Sequence, residues 1–73
     1  MTKYLNLSRR SNVEAYAIYP DKIVVKFYDT TKLYQYSYYR AGKHYVDIMK
    51  QLANRGYGLN SFINRYCKYL YDR

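Results

Sequence analysis

Residues 33–56 read LYQYSYYRAGKHYVDIMKQLANRG, and the hydrophobic period changes near the middle of this stretch. In its first part, tyrosine occupies every second position, which is the spacing of one face of a β-strand: Tyr34, Tyr36 and Tyr38. In its second part, apolar side chains recur at the spacing of an amphipathic helix: Tyr45, Ile48, Met49 and Leu52. Gly56 follows and suits the left-handed conformation that ends many helices. The stretch predicts a strand followed by a helix of about three turns, with Ile48 in the core.

Two further strands are predicted upstream. Residues 13–19, VEAYAIY, are rich in β-formers and stop at a Pro-Asp turn, and residues 22–29, KIVVKFYD, alternate apolar and polar side chains. The short connections exclude the long crossovers that parallel neighbours need, so the three strands are predicted to form an antiparallel meander. Its buried face is expected to carry Ile23, Val25, Phe27, Tyr34 and Tyr36.

The rest of the chain completes a single small domain. A second helical set follows Gly56, made of Leu59, Phe62, Ile63 and Tyr66. The tail, CKYLYDR, has no clear period and could either extend this helix or lie along the sheet. Residues 1–10 also lack a period and are predicted as a flexible lead-in to a domain that spans residues 11–73. The predicted fold class is α+β, with a three-stranded antiparallel β-meander packed on two C-terminal helices in two layers.

The charge of the chain indicates its partners rather than its fold. Thirteen Lys and Arg residues against five Asp and Glu residues give a net charge of +8 over 73 residues. Such an excess favours nucleic acid, an acidic protein surface or an anionic membrane. No apolar run is long enough for a signal peptide or a membrane span, so we expect a soluble cytoplasmic protein without a membrane partner. A single cysteine excludes an internal disulfide.

The order of the segments resembles the KTSC domain family. The resemblance is carried by SNV before the first strand, IVVKF in the second, YQY in the third, the helix after it, and NRGYGLNSFI. It covers roughly residues 11–66. This family is a small module found at the carboxyl end of lysyl-tRNA synthetases and as stand-alone bacterial and phage proteins. The resemblance implies a module that associates with RNA or tRNA, and it implies no catalytic residue.

No catalytic or metal-binding arrangement is evident in the sequence. His44 has no neighbouring serine, cysteine or aspartate at a spacing that would build a nucleophile and base pair, and it is interpreted as an exposed helix residue. Cys67 lies beside Lys68, which could lower its pKa, but a buried structural thiol is the preferred interpretation. The five carboxylates share no obvious face. We therefore predict a protein that is not an enzyme and needs no cofactor or metal.

The tyrosines and cations suggest where a nucleic acid could bind. Alternation predicts that Tyr16 and Tyr28 lie on the outer face of the sheet, close to lysines. Aromatic rings interleaved with cations are what a single strand requires, because bases stack on the rings while the cations track the phosphates. A genome rich in A and T would also raise the counts of Tyr, Asn, Lys and Ile. The candidate nucleic-acid-binding residues are Lys26, Tyr28, Lys32, Arg55 and Arg65.

Two functions of different classes remain open. The first is a basic binding module for nucleic acid, RNA rather than DNA. The second is a protein-interaction domain, such as a phage-type inhibitor that binds an acidic surface of a host protein. A continuous basic stripe beside exposed rings would favour the first, and a flat apolar patch with scattered charge would favour the second.

Overall fold

The computed structural model describes residues 1–73 and shows a four-stranded antiparallel sheet with its helices on one face. Strand β1 is Thr2–Lys3, β2 is Val13–Tyr19, β3 is Lys22–Phe27 and β4 is Leu33–Ser37. The strands lie in the order β1-β2-β3-β4. Helix α1 is Lys43–Arg55, α2 is Leu59–Phe62, and a π-helical turn continues α2 over Ile63–Cys67. The two-layer α+β architecture agrees with the prediction, whereas the predicted number of three strands is corrected to four.

The fourth strand comes from the segment that was predicted as a lead-in. Thr2 and Lys3 pair with Tyr16 and Ala15 on β2, and the next residue, Tyr4, is almost fully buried in the core. Its hydroxyl accepts a hydrogen bond from the Leu59 N–H at 3.3 Å, at the start of α2. A strand of two residues is too short to show a period, so the sequence pattern could not identify it.

A β-bulge near the start of β2 places Tyr16 on the buried face of the sheet. Val13 pairs with Phe27 and Ala15 with Lys26, so Glu14 is the extra residue of the bulge. Because the bulge inserts one residue, Val13 and Tyr16 point to the same face although they are three positions apart. Tyr16 is only 8% exposed. The prediction that it lies on the outer face is therefore wrong, because it assumed an uninterrupted alternation.

Helix α1 is rotated slightly from its predicted orientation. The residues that it buries are Val46, Met49 and Ala53. Tyr45 and Leu52 are partly buried against this core. Ile48 lies at the surface side of the helix, beside His44 and Gln51, so its predicted core position is wrong. Apolar residues at 45, 46, 48, 49, 52 and 53 allow two overlapping stripes, and packing against the sheet selects the one that contains Val46.

The C-terminal tail lies along the free edge of β4. The Asp72 N–H donates a hydrogen bond of 2.6 Å to the Gln35 carbonyl. The Asp72 carboxylate accepts further hydrogen bonds from the side chains of Gln35 at 2.6 Å and Ser37 at 2.8 Å. The sequence left open whether the tail extends the helix or lies along the sheet. In the structure the helical segment ends at Cys67, and Asp72 near the chain end pairs with β4.

The buried face of the sheet agrees with the prediction at most positions. Ile23, Val25 and Tyr36 are fully buried, and Phe27 and Tyr34 are partly buried against them. Helix α1 contacts β3 and β4 on this buried side of the sheet. No helix of the domain has both the length and the apolar character required to cross a bilayer.

Candidate nucleic-acid interface

A cleft of about 360 Å³ opens between the β3–β4 end of the sheet and the C-terminal helical segment. Its walls combine aromatic rings, side-chain amides and a cation. Twelve residues line it: Asn12, Phe27, Asp29, Thr30, Tyr34, Tyr36, Asn60, Ile63, Asn64, Lys68, Tyr69 and Tyr71. This volume lies within the range of roughly 300–1,000 Å³ that is usual for small-molecule sites.

Three aromatic rings form one continuous wall of the cleft. Tyr34 packs edge-to-face against Phe27, with ring centroids 5.4 Å apart, and against Tyr71, with centroids 4.9 Å apart. Such perpendicular pairs are the favoured geometry for aromatic side chains. Tyr71 belongs to the C-terminal tail that lies along β4, so the tail supplies part of the wall. The arrangement holds flat apolar surfaces in fixed orientations beside an opening.

The hydroxyl of Tyr36 has no partner in the protein although the side chain is buried. Tyr36 is 1% exposed, and its hydroxyl takes part in none of the side-chain hydrogen bonds of the domain. The chain nevertheless holds no fully buried side-chain polar atom without a hydrogen bond. The residual exposure of Tyr36 must therefore belong to its hydroxyl, which reaches the cleft that the residue lines.

The Tyr36 hydroxyl is protonated at neutral pH, as in any tyrosine, and burial raises its pKa further. Desolvation is the main cause that raises the pKa of Tyr36 well above its ordinary value, with further contributions from Cys67 and its neighbouring tyrosines. At neutral pH the group is therefore an uncharged O–H, which can both donate and accept a hydrogen bond. A free donor and acceptor on the floor of a cleft is available to a ligand.

Three asparagines place side-chain amides without protein partners in the same cleft. Asn12 and Asn60 are half-buried and Asn64 is exposed. None of their side-chain amides makes a hydrogen bond within the protein, in contrast to the bonded amides of Asn6 and Asn54. Each amide offers two donors and one acceptor oxygen. The cleft can therefore match a ligand edge on which donors and acceptors alternate.

Two lysines supply positive charge at the cleft. Lys68 lines it directly. The ammonium group of Lys32 lies 5.4 Å from the ring centroid of Tyr34 and 5.7 Å from that of Tyr71. Asp29 is the one acidic residue in the lining. Neither lysine forms an ion pair, so both charges remain available to an anionic group.

The five residues that were predicted from the sequence do not gather at one place. Lys32 lies at the cleft. Lys26 lies on the outer face of the sheet, where it forms an ion pair of 2.6 Å with Glu14. Tyr28 is 54% exposed, as predicted, and lies beside Glu14 rather than beside the cleft.

The two arginines of the predicted set belong to the helical layer. Arg55 is the last residue of α1. Arg65 lies in the π-helical turn, with its guanidinium 5.7 Å from the ring centroid of Tyr66. Lys26 on the outer sheet face and these arginines on the helices occupy opposite layers of the domain.

The sequence offered few signals for the residues that complete the cleft. Tyr34 and Tyr36 were recognised, but only as part of the core. Lys68 and Tyr71 lie in a tail without any period, and only the folding of that tail onto β4 brings them to the cleft. Among the asparagines, Asn60 was part of the resemblance to the KTSC family but carried no assigned role.

The chain as a whole carries a large excess of unpaired positive charge. Only two of its thirteen basic side chains form an ion pair, Lys26 with Glu14 and Lys43 with Asp47. The remaining cations are free to interact with an anionic partner. The net charge of +8 therefore favours association with a polyanion.

The single cysteine and the single histidine of the chain have contrasting surroundings. Cys67 is fully buried, and burial raises the pKa of its thiol to about 11, so it is not a thiolate at neutral pH. No group of three or more His, Cys, Asp or Glu side chains could hold a metal ion. His44 is exposed and lies against Tyr45.

Comparison of the chain with protein-family models, with curated proteins and with solved structures found no match.

Proposed function

We propose that this chain is a small basic binding module without enzymatic activity, and that it binds single-stranded RNA. The observation that carries the proposal is the cleft in which the Tyr34 and Tyr71 rings lie beside Lys32 and Lys68. A single strand needs aromatic faces for its bases and cations for its phosphates, and this cleft offers both. The proposal agrees with what the resemblance to the KTSC family implies.

Single-stranded RNA fits the cleft better than a duplex does. The base edges of an RNA duplex lie in grooves, whereas the aromatic wall here is recessed between two elements of the protein. A duplex could contact the surface lysines only through its phosphates, but an unpaired segment can insert its bases. We therefore expect the affinity for an unpaired strand to exceed the affinity for a duplex of the same length.

A direct titration tests this function. Fluorescence anisotropy with a labelled ten-nucleotide single-stranded RNA, the matching RNA duplex and the matching single-stranded DNA compares the three ligands at low salt. We expect binding of the single-stranded RNA with a Kd in the micromolar range or tighter and weaker binding of the duplex. Absence of single-strand binding at these concentrations, or equal affinity for the duplex, would contradict the proposal.

A second candidate function is supported by an exposed apolar patch. Leu5, Leu7 and Tyr57 are each more than half exposed. They surround Gly56, because Leu5 packs against it and the Leu7 N–H donates a hydrogen bond of 2.8 Å to its carbonyl. Contiguous apolar surface of this kind is typical of protein interfaces.

The charge next to this patch would suit an acidic protein partner. Arg9 and Arg10 follow Leu7, and Arg55 precedes Gly56. A pull-down from cell extract with and without nuclease distinguishes the two functions. Partners that disappear on digestion support RNA binding. Protein partners that persist on digestion and are lost in the Leu5→Ser, Leu7→Ser variant support a protein-interaction domain.

A further inference from the structure

We propose that the cleft takes up one extruded base of the bound RNA strand and that the Tyr36 hydroxyl, together with the Asn60 and Asn64 amides, reads the edge of that base. This inference rests on the proposed function and adds to it that the module distinguishes bases. It assigns a ligand-binding role to Tyr36, which the sequence pattern identified only as a buried residue of the sheet.

The unpartnered hydroxyl is the observation that points to a ligand. The hydroxyl of Tyr36 makes no hydrogen bond to another group of the protein, and replacing it by hydrogen would leave the ring to fill the same space. The hydroxyl of Tyr36 is exposed only towards the cleft. An occupant with a polar edge can hydrogen-bond to the hydroxyl, whereas an occupant without one would cover the hydroxyl and leave it without a partner.

The composition of the walls favours a nucleobase over other ligands. A phosphate group could pair with Lys68, but inside the cleft it would also meet aromatic rings and the Asp29 carboxylate, which do not stabilise an anion. A purely apolar group would offer no hydrogen-bond partner to the half-buried amide of Asn60. A base has flat apolar faces for the rings and an edge of donors and acceptors for the amides and the hydroxyl, which is how unpaired bases are recognised in RNA.

The cations are placed to hold the strand on either side of the inserted base. Lys68 lines the cleft, and Lys32 lies over the Tyr34 and Tyr71 rings that form its wall. Ammonium groups at these positions can contact the phosphates of the inserted nucleotide and its neighbour. The lysines therefore provide affinity for the strand. The Tyr36 hydroxyl and the Asn60 and Asn64 amides provide discrimination between bases.

The substitution Tyr36→Phe isolates the hydroxyl. It keeps the ring and removes only an unpartnered group, so the variant is expected to fold with unchanged or slightly raised thermal stability. Tyr16→Phe is the matched control, because it also removes one hydroxyl from the inner sheet face, but that hydroxyl bonds to Asn54 outside the cleft. Both variants and the original chain are titrated with labelled ten-nucleotide homopolymers of each of the four bases.

The original chain is expected to prefer one homopolymer. Tyr36→Phe should weaken binding of that homopolymer roughly five- to tenfold, the scale of one lost hydrogen bond, and should reduce the preference among the four, whereas Tyr16→Phe should leave both unchanged. In a second measurement, nucleoside monophosphates should shift the side-chain amide resonances of Asn60 and Asn64 in ¹⁵N-correlated spectra.

The outcomes separate this inference from the proposed function. If the original chain binds all four homopolymers equally, or if Tyr36→Phe binds them as the original chain does, the base-reading role is overturned while RNA binding stands. If no homopolymer binds and no amide resonance shifts, both the RNA-binding function and this inference fail.

Discussion

Asp72 and Gln35 are joined by two hydrogen bonds of opposite direction. The Asp72 N–H donates to the Gln35 carbonyl at 2.6 Å, and the Gln35 side-chain amide donates to the Asp72 carboxylate at 2.6 Å. This pair fixes the tail on β4 and thereby places Tyr71 against Tyr34 at the cleft. The C-terminal residues therefore hold a wall of the candidate site as well as the edge of the sheet.

The substitution Asp72→Ala should release this tail. The lost carboxylate bonds to Gln35 and Ser37 lie near the surface, so we expect a destabilisation of only about 1 kcal/mol. The larger effect should be local, with faster hydrogen exchange over residues 69–73 and weaker RNA binding. Asp21→Ala is a suitable control, because Asp21 is exposed and its carboxylate has no hydrogen-bond partner. Unchanged exchange in the tail would show that the backbone hydrogen bond to Gln35 and packing hold the tail without the carboxylate.

The same contact should depend on pH. Burial acts to raise the pKa of Asp72, but the hydrogen bonds from Gln35 and Ser37, together with Arg40, outweigh it and leave the pKa below its ordinary value. A carboxyl group whose pKa is lowered by folding stabilises the folded state above its unfolded pKa of about 4, and this contribution is lost as the pH falls through the folded pKa. Tail protection measured by NMR should therefore be constant from pH 7 to 5 and decline below about pH 4. Asp72→Asn should abolish this decline.

The packing of Gly56 against Leu5 predicts a coupled pair of substitutions. Gly56 has a φ of +77°, as expected for a left-handed cap, and a Cβ at this position would lie 2.5 Å from the Leu5 Cβ. Any side chain is therefore disfavoured, including asparagine, which tolerates positive φ elsewhere. We expect Gly56→Ala to destabilise the domain by about 2 kcal/mol, from strain together with overpacking.

A double-mutant cycle separates the two causes. Leu5→Gly removes the clashing Cβ but leaves the positive φ, so Gly56→Ala should cost less in the Leu5→Gly background, by about 1 kcal/mol. Urea denaturation of the four proteins measures this coupling. Additive effects would mean that the N-terminal segment moves away from Gly56 without cost.

The orientation of α1 can be tested with two neighbouring residues. Met49 is fully buried, whereas Ile48 lies at the surface side of the helix. Met49→Ala should therefore lower the free energy of unfolding by about 2–5 kcal/mol, and Ile48→Ala should lower it by about 1 kcal/mol or less. Thermal and urea denaturation compare the two variants. Equal losses would favour the helix orientation that the hydrophobic spacing alone predicts.

Local patterns predicted those parts of the fold that depend on neighbouring residues. The alternation in β3 and β4, the helical period of α1 and the cap at Gly56 each arise within a few positions, and each agrees with the structure. The bulge at Glu14 could not be foreseen, because it depends on how β2 pairs with β3. The choice between Val46 and Ile48 likewise depends on the sheet beneath the helix. The cleft is the least local feature, since it requires the tail to return to β4.

The last prediction assigns the salt dependence of RNA binding to individual lysines. For single strands, log affinity falls with log salt with a slope of about −0.7 for each phosphate contact. The sequence had suggested contacts from Lys26, Lys32, Arg55 and Arg65, but these residues do not share a surface. Lys32 and Lys68 lie at the cleft without ion pairs, so Lys32→Gln and Lys68→Gln should each reduce the magnitude of the slope by about 0.7. Anisotropy titrations at several salt concentrations measure the slopes.

Lys26→Gln provides the contrast for this experiment, because it removes the same charge from a residue that is already paired with Glu14. Its slope should equal that of the original chain. Tyr71→Ala, which removes an aromatic ring and no charge, should weaken binding by about 1–3 kcal/mol at every salt concentration without changing the slope. If Lys26→Gln reduced the slope and Lys32→Gln did not, the strand would run across the outer face of the sheet, and the cleft would not be the RNA site.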